Sequence, residues 1–212
     1  MSIIEIKNVT KDINGKKILD NINVILSKGQ IHGFLGRNGS GKTMLFRAIC
    51  GLIRPSSGEI IIGGSILHKE ISFSKSIGVI IETPGFWNNL TGYENLKLLS
   101  EIKKKVSKED IENILIKVGL DPSDLRTYKK YSLGMKQRLG IAQALMESPE
   151  IIILDEPTNA LDQEGVELIR NLLLTEKERG ATILIASHNK EDIDLLSDKK
   201  YKMENGKLTE MN

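Results

Sequence analysis

Gly36-Arg37-Asn38-Gly39-Ser40-Gly41-Lys42-Thr43 is the segment that most restricts what this chain can become. It fits the pattern G-x-x-x-x-G-K-[ST]. Its surroundings fit too: Ile31 to Leu35 is a short apolar run suited to a buried strand, and Lys42 to about Cys50 reads as a helix. A loop between a buried strand and a helix start is suited to phosphate. Glycines let backbone N–H groups turn inward, and the helix N-terminus adds the positive end of its dipole. Lys42 can reach the β- and γ-phosphates of a nucleotide, and the Thr43 hydroxyl can ligate Mg²⁺. We therefore expect Gly36, Arg37, Asn38, Gly39, Ser40, Gly41, Lys42 and Thr43 to bind ATP phosphates, joined by the backbone N–H of Met44.

A second feature answers the first. Ile151-Ile152-Ile153-Leu154-Asp155-Glu156 is an apolar strand that ends in two carboxylates. Such a strand delivers its acids to the ligand edge of a parallel sheet. Asp155 is the expected Mg²⁺ partner, through water, and Glu156 the expected general base toward attacking water.

Around these motifs the chain alternates strand and helix. Ile4, Ile6 and Val9, then Ile22, Val24 and Leu26, alternate with polar residues on either side of the Asn14-Gly15 turn, which predicts an antiparallel β region. Gly58 to Gly63 and Ile77 to Ile81 read as further strands. From about Pro84 to Ser148 the pattern turns helical: Tyr93 to Lys104, a helix opened by Ser107 with Asp110 and closed near Gly119, and Leu133 to Met146. Gln163 to Arg179, Thr182 to Ala186 and Glu191 to Ser197 restore the helix–strand–helix rhythm, and Asn205-Gly206 suggests a terminal hairpin. The expected fold class is α/β: a P-loop NTPase (RecA-like) core with an N-terminal antiparallel β subdomain and an inserted helical subdomain. We expect one domain over 1–212, with the core and β lobe at 1–84 and 149–212 and the helical subdomain at 85–148.

Composition removes several classes. The formal net charge is +2, with acids and bases interspersed, so no basic stripe invites nucleic acid. The run Lys103-Lys104-Lys105 sits at a helix end, where the dipole favours cations. The single cysteine, Cys50, falls in an apolar helical stretch and reads as a small buried hydrophobe. The start carries no signal-like pattern, and the apolar runs stop well short of the roughly 20 residues that span a bilayer. The chain is expected to be cytoplasmic and unable to form a channel by itself.

Tyr131-Ser132-Leu133-Gly134-Met135-Lys136-Gln137-Arg138 separates this chain from other phosphate-loop enzymes. It resembles the signature motif of the ABC ATPase family, usually written LSGGQ. Pro157-Thr158 and then Asn159-Ala160-Leu161-Asp162 are similar to that family's D-loop, and Ser187-His188 to its switch histidine. The resemblance covers essentially the whole chain. It implies that Ser132 and Gly134 reach the γ-phosphate held by a second ATP-binding subunit in a head-to-tail dimer, and that His188 contacts the γ-phosphate and orients water with Glu156. By themselves Ser132 and Gly134 also read as a helix cap with free N–H groups. His32 and His68 have no comparable context.

Three positions depart from the family pattern. Glu82 stands where a glutamine is usual, which points to a metal-contacting, coupling residue that adds charge near Mg²⁺. No aromatic precedes Phe34, so Ile13 is left as an apolar shelf for adenine, and base discrimination is expected to be weak. Met44 replaces a second hydroxyl residue, losing a side-chain phosphate contact.

Phe86 and Trp87 fall in the loop that, in related transporters, lines the groove for a membrane subunit; they equally suit packing on the helical lobe. Glu82 to Thr91 and Tyr131 to Gln137 are most similar to ATP-binding subunits of bacitracin-resistance and lantibiotic-immunity exporters. The resemblance implies integral membrane permease partners, a location on the inner face of the cell membrane and an antimicrobial peptide as cargo. The alternative is a soluble ABC ATPase acting on ribosomes or DNA.

Overall fold

The computed structural model describes residues 2–82 and 85–211. Thr83 and Pro84, at the centre of the Glu82 segment, lie outside the described residues.

The N-terminal region is an antiparallel sheet of β1 (Ser2–Ile13), β2 (Lys16–Ser27), β4 (Ser57–Ile62) and β5 (Ser65–Ile66), in the order β2-β1-β4-β5. Asn14-Gly15 makes the turn between its first two strands, both residues at positive φ. The short β5 carries no alternation long enough to be read from sequence.

The second sheet follows the order β10-β9-β3-β8-β7-β6. Its members are β3 (Ile31–Leu35), β6 (Ile77–Ile80), β7 (Ile151–Asp155), β8 (Thr182–Ser187), β9 (Lys199–Glu204) and β10 (Lys207–Met211). All neighbours pair in parallel except the terminal β9–β10 hairpin. Every residue of β7 and β8 is buried. Period-two geometry splits them between two cores. Ile152, Leu154, Ile183 and Ile185 join the helical core, whereas Ile151, Ile153, Leu184 and Ala186 join the core under the antiparallel sheet and α1 (Lys42–Ile49). Each fully buried isoleucine or leucine contributes about 1.5–3 kcal/mol. Two-sided burial leaves the strand tips as the place where this sheet can carry charge.

Between β6 and β7 come α2 (Gly92–Lys103), α3 (Lys108–Lys117), a 3₁₀ turn at Tyr128–Lys130 and α4 (Leu133–Leu145). α2 and α3 each open with a capping box, Thr91 with Glu94 and Ser107 with Asp110. Gly119 sits at φ 74 just beyond α3, a left-handed stop that glycine takes without penalty. Lys103 ends α2 and Lys104 caps it at φ 53, so the basic run does lie at a helix C-terminus. The C-terminal end of α4 lies so close to β6 that a Cβ on Gly78 would come 1.8 Å from the Ala144 carbonyl oxygen. That approach fixes α4 against the parallel sheet. α5 (Gln163–Glu178) and α6 (Lys190–Leu196) complete the helices.

Cys50 is buried, but it caps α1 rather than lying within it, and burial pushes its thiol up to about 12. Among the described residues no helix is long and apolar enough to cross a membrane.

Candidate active site

The phosphate loop leaves the tip of β3 and enters α1 at Gly41, whose φ of 112 an L side chain rarely adopts. Gly39, at φ 79, has open space where a Cβ would be. No side chain caps α1, so the first N–H groups of that helix keep their hydrogen-bonding capacity for an anion. Lys42 is buried and folds back over the loop, its Nζ donating to the carbonyl oxygens of Gly36 at 2.5 Å and Arg37 at 3.2 Å.

β7 runs beside β8 and ends at this loop. The Thr43 hydroxyl donates to Asp155 Oδ2 at 2.5 Å. Burial raises the Asp155 carboxyl above its ordinary range; the Thr43 hydrogen bond and Lys42 oppose that rise, and the charges of Glu156 and Glu82 add to it. Glu156 follows at φ 53 and donates its N–H to the Ala186 carbonyl. Its carboxylate lies 3.7 Å from Lys42 Nζ through Oε1, and Oε2 meets His188 Nδ1 at 2.9 Å and the Ser187 hydroxyl at 3.3 Å. Glu156 Oε1 is buried without a hydrogen-bond partner. One carboxylate oxygen is thus hydrogen-bonded, and the other keeps an unused lone pair beside the Lys42 ammonium.

A cavity of about 730 Å³ joins these groups. Lys42, Thr43, Met44, Asp155 and Glu156 line it from one side, Lys16 and Ile18 from β2, and Leu133, Lys136 and Gln137 from α4. His188 lines a second cavity of about 560 Å³, which it shares with Gly36 through Ser40.

Residues distant in sequence are thus brought together: Gly36–Met44, Asp155, Glu156 and His188 form one constellation. Two expectations meet a different local setting, those for Ile13 and Glu82, while Ser132 and Gly134 sit outside their own chain's cavity. Ile13 is partly exposed near the β1–β2 turn and is not among the residues lining the nucleotide-sized cavity; Ile18, on the following strand, takes that place. Glu82 reaches the cavity rim but pairs there with Arg47 Nη2 at 2.8 Å, not with Thr43 or Asp155. Arg47 lies one helical turn after Thr43, on the same face of α1, and is the cation nearest to hand. Ser132 caps α4, its hydroxyl accepting from the Met135 N–H at 3.2 Å. Gly134 lies where a Cβ would come 3.0 Å from the Ala160 carbonyl oxygen. Neither Ser132 nor Gly134 lines its own chain's cavity. Phe86 packs edge-on to Tyr128 in the helical core, while Trp87 is half exposed.

Arg47, Ile18 and Gln137 escaped sequence reasoning. Arg47 was in principle visible as the i+4 neighbour of Thr43; Ile18 and Gln137 depend on how the hairpin and α4 fold over the loop.

The residues fit a magnesium–nucleotide pair. Among the described residues no group of three or more His, Cys, Asp or Glu forms a cage for a metal. A hydroxyl and a carboxylate alone, Thr43 and Asp155, suit Mg²⁺ that is held in part by phosphates.

Comparison with known proteins agrees with this geometry. A family model described as "ABC transporter" matches residues 19–159. An uncharacterised ABC transporter ATP-binding protein of Bacillus subtilis, YybJ, is 52% identical over 97% of this chain and 94% of its own length. The bacitracin transport ATP-binding protein BcrA of Enterococcus faecalis is 43% identical over 98% of this chain and 68% of its own length. The lantibiotic transport ATP-binding protein SrtF of Streptococcus pyogenes is 39% identical, covering 92% and 84%. Among solved structures, the dimeric bacterial ABC transporter cassette MJ0796 superposes with a TM-score of 0.89 at 25% identity, over 99% of this chain and 98% of that one. The family model and these relatives cover the phosphate loop and the strand ending in Asp155 and Glu156, and the chain belongs to the ABC transporter family as one of its ATPase subunits.

Proposed function

We propose that this chain hydrolyses Mg²⁺–ATP to drive a transporter whose channel is supplied by separate integral membrane permease subunits, with antimicrobial peptides of the bacitracin or lantibiotic type as cargo. The observation that carries the hydrolytic part is the placing of the Glu156 carboxylate between Lys42 and His188, at 3.7 and 2.9 Å, beside the phosphate loop. Mg²⁺, when bound, neutralises phosphate charge at the Thr43–Asp155 pair. Lys42 holds the terminal phosphates, Glu156 takes the proton of the attacking water, and His188 orients the Glu156 carboxylate while facing the γ-phosphate.

The second half of each catalytic centre comes from a partner. Ser132 and Gly134, lying outside their own chain's cavity, are assigned to the nucleotide bound by a second, identical subunit in a head-to-tail dimer. Residues 85–148 form the helical lobe that presents them, and the two-part core spans 1–84 and 149–212. Glu82, at the seam between core and lobe, is assigned to coupling: it exchanges Arg47 for the metal site as the lobe moves. Trp87, half exposed beside it, belongs to the surface that meets the permease. The chain works on the inner face of the cell membrane.

The cargo rests on the names of BcrA and SrtF, both transport proteins. On the same ground the reading as a soluble ribosome- or DNA-directed ATPase is set aside. Co-purification with a polytopic membrane protein, and sensitivity to bacitracin or a lantibiotic on deletion, test the assignment. Deletion that leaves sensitivity to both peptide classes unchanged contradicts the cargo. Recovery with ribosomes instead of a membrane protein contradicts the transporter.

A further inference from the structure

Gln137 ties α4 to the backbone that carries Glu156. Its side-chain Nε2 donates to the carbonyl oxygens of Glu156 at 3.1 Å and Pro157 at 3.2 Å. Both partners accept only, so chemistry fixes the amide with its NH₂ toward them. The next residue, Arg138, reaches Asp162 Oδ1 at 3.1 Å. Two consecutive residues of one helix thus hold both ends of the segment 156–162.

That segment needs holding. Glu156 and Ala160 adopt φ of 53 and 65, a region that costs a residue with a Cβ roughly 1 kcal/mol or more. Within the segment two turn bonds form, Asn159 N–H to the Glu156 carbonyl at 3.2 Å and Leu161 N–H to the Thr158 carbonyl at 3.3 Å, and the remaining hold comes from partners outside. The Glu156 N–H is anchored on β8 through Ala186; its carbonyl accepts both from Gln137 on α4 and from the Asn159 N–H of its own turn, and Gln137 is the one of these that ties it to another element. The peptide groups on either side of the Glu156 Cα are therefore fixed by two different elements, and the direction of its carboxylate follows from both.

We infer that Gln137 is a positioning residue for hydrolysis: it sets the Glu156 carboxylate according to where α4 lies, so that the helix opening at Ser132 and the base at the tip of β7 move as one. This rests on the reading of Glu156 as general base. α4 also packs on β6 and β7, so a shift of the helix reaches Glu156 by the side-chain link and not by the strand alone.

The test uses the full chain with Gln137→Leu, which keeps the bulk and removes both donors, and Gln137→Lys, which restores donors to the same carbonyls. We expect kcat to fall about tenfold in the leucine variant, the effect of losing a hydrogen bond of ordinary strength. KM and the ATP dissociation constant stay within about twofold, and amide exchange across 156–162 accelerates. The lysine variant recovers much of the loss in kcat. If the leucine variant folds poorly, Gln137→Met removes the same donors and is read in the same way. Unchanged kcat and unchanged exchange overturn the inference. So does a parallel loss of kcat, ATP affinity and thermal stability, which marks a merely structural contact. A wild-type protein without ATPase activity contradicts the reading of Glu156 instead; the exchange experiment needs no turnover and still decides whether Gln137 orders the segment.

Discussion

Two glutamates stand at the tips of neighbouring parallel strands, and their surroundings differ in almost every respect. Glu156 follows β7, Glu82 lies just past β6, and those strands pair with each other. Both residues take left-handed backbone angles, φ 53 and 62, so both side chains turn out of the strand direction at the ligand edge. Glu156 is mostly buried and touches Lys42, Ser187 and His188. Glu82 has a side chain 60% exposed and a single ion-pair partner, Arg47. A carboxylate held by three partners, two of them buried, has one orientation, and suits proton transfer. One held by an exposed ion pair is restrained by about 1 kcal/mol or less, and can exchange partners. The same residue type at equivalent places thereby supports the proposed division between chemistry at Glu156 and coupling at Glu82.

The comparison breaks first if Glu156 proves replaceable. Glu156→Gln is expected to lower ATP hydrolysis by about 10²–10⁴-fold while ATP binding persists, because the amide keeps size and polarity but cannot accept the proton. Phosphate release set beside equilibrium nucleotide binding checks this. Glu82→Gln should change far less: folding intact, and the ATPase rate with the membrane partner altered several-fold, about 1 kcal/mol. Equal rates and equal transport would remove Glu82 from the coupling path. Arg47→Gln, tested alongside, should shift the Mg²⁺ concentration needed for half-maximal rate in the protein with Glu82, and leave it unchanged in Glu82→Gln.

Asp155 sharpens the contrast through pH. Its pKa is raised by burial in the folded chain, so the folded state holds a proton more tightly than the unfolded one. The resulting cost to stability is absent below the unfolded value and complete above the folded one, and stability of the nucleotide-free protein falls as pH rises through that window. Asp155→Asn removes the cost and should raise the melting temperature modestly at neutral pH; an unchanged or lower value in calorimetry counts against it. The smallest effect concerns the base. With Ile18 and Lys16 in place of an aromatic at the cavity wall, GTP should be hydrolysed within roughly fivefold of ATP, since a stacking contact is worth about 1 kcal/mol. A strict ATP preference in competition assays would show a base contact that the cavity lining does not suggest.

How much of this was legible beforehand depended on whether a residue's role is local. The phosphate loop, the strand ending in Asp155-Glu156 and the capping box at Ser107 are written in contiguous residues, and their structures follow. Capping boxes and buried strands encode their own boundaries through hydrogen bonding and burial. Ile13 stands at the expected place in sequence, but the β1–β2 hairpin brings Ile18 to the cavity instead. The Arg47–Glu82 pair and the Gln137 bridge join residues 35 and 19 positions apart, and only the packing of α1 and α4 against the parallel sheet makes them neighbours. Gly134 shows a motif residue with two readings: the resemblance gives it a phosphate, and the fold gives it the close approach of Ala160.

The central claim is that one chain carries only half of each reaction centre. Light scattering on the Glu156→Gln protein with saturating Mg²⁺–ATP tests it most directly, because nucleotide is bound there but not consumed. The account predicts that the 23.6 kDa chain doubles in mass on adding ATP and returns to a monomer when Ser132→Arg blocks the signature turn. A mass that stays at one chain at every ATP concentration, with nucleotide demonstrably bound, would contradict it.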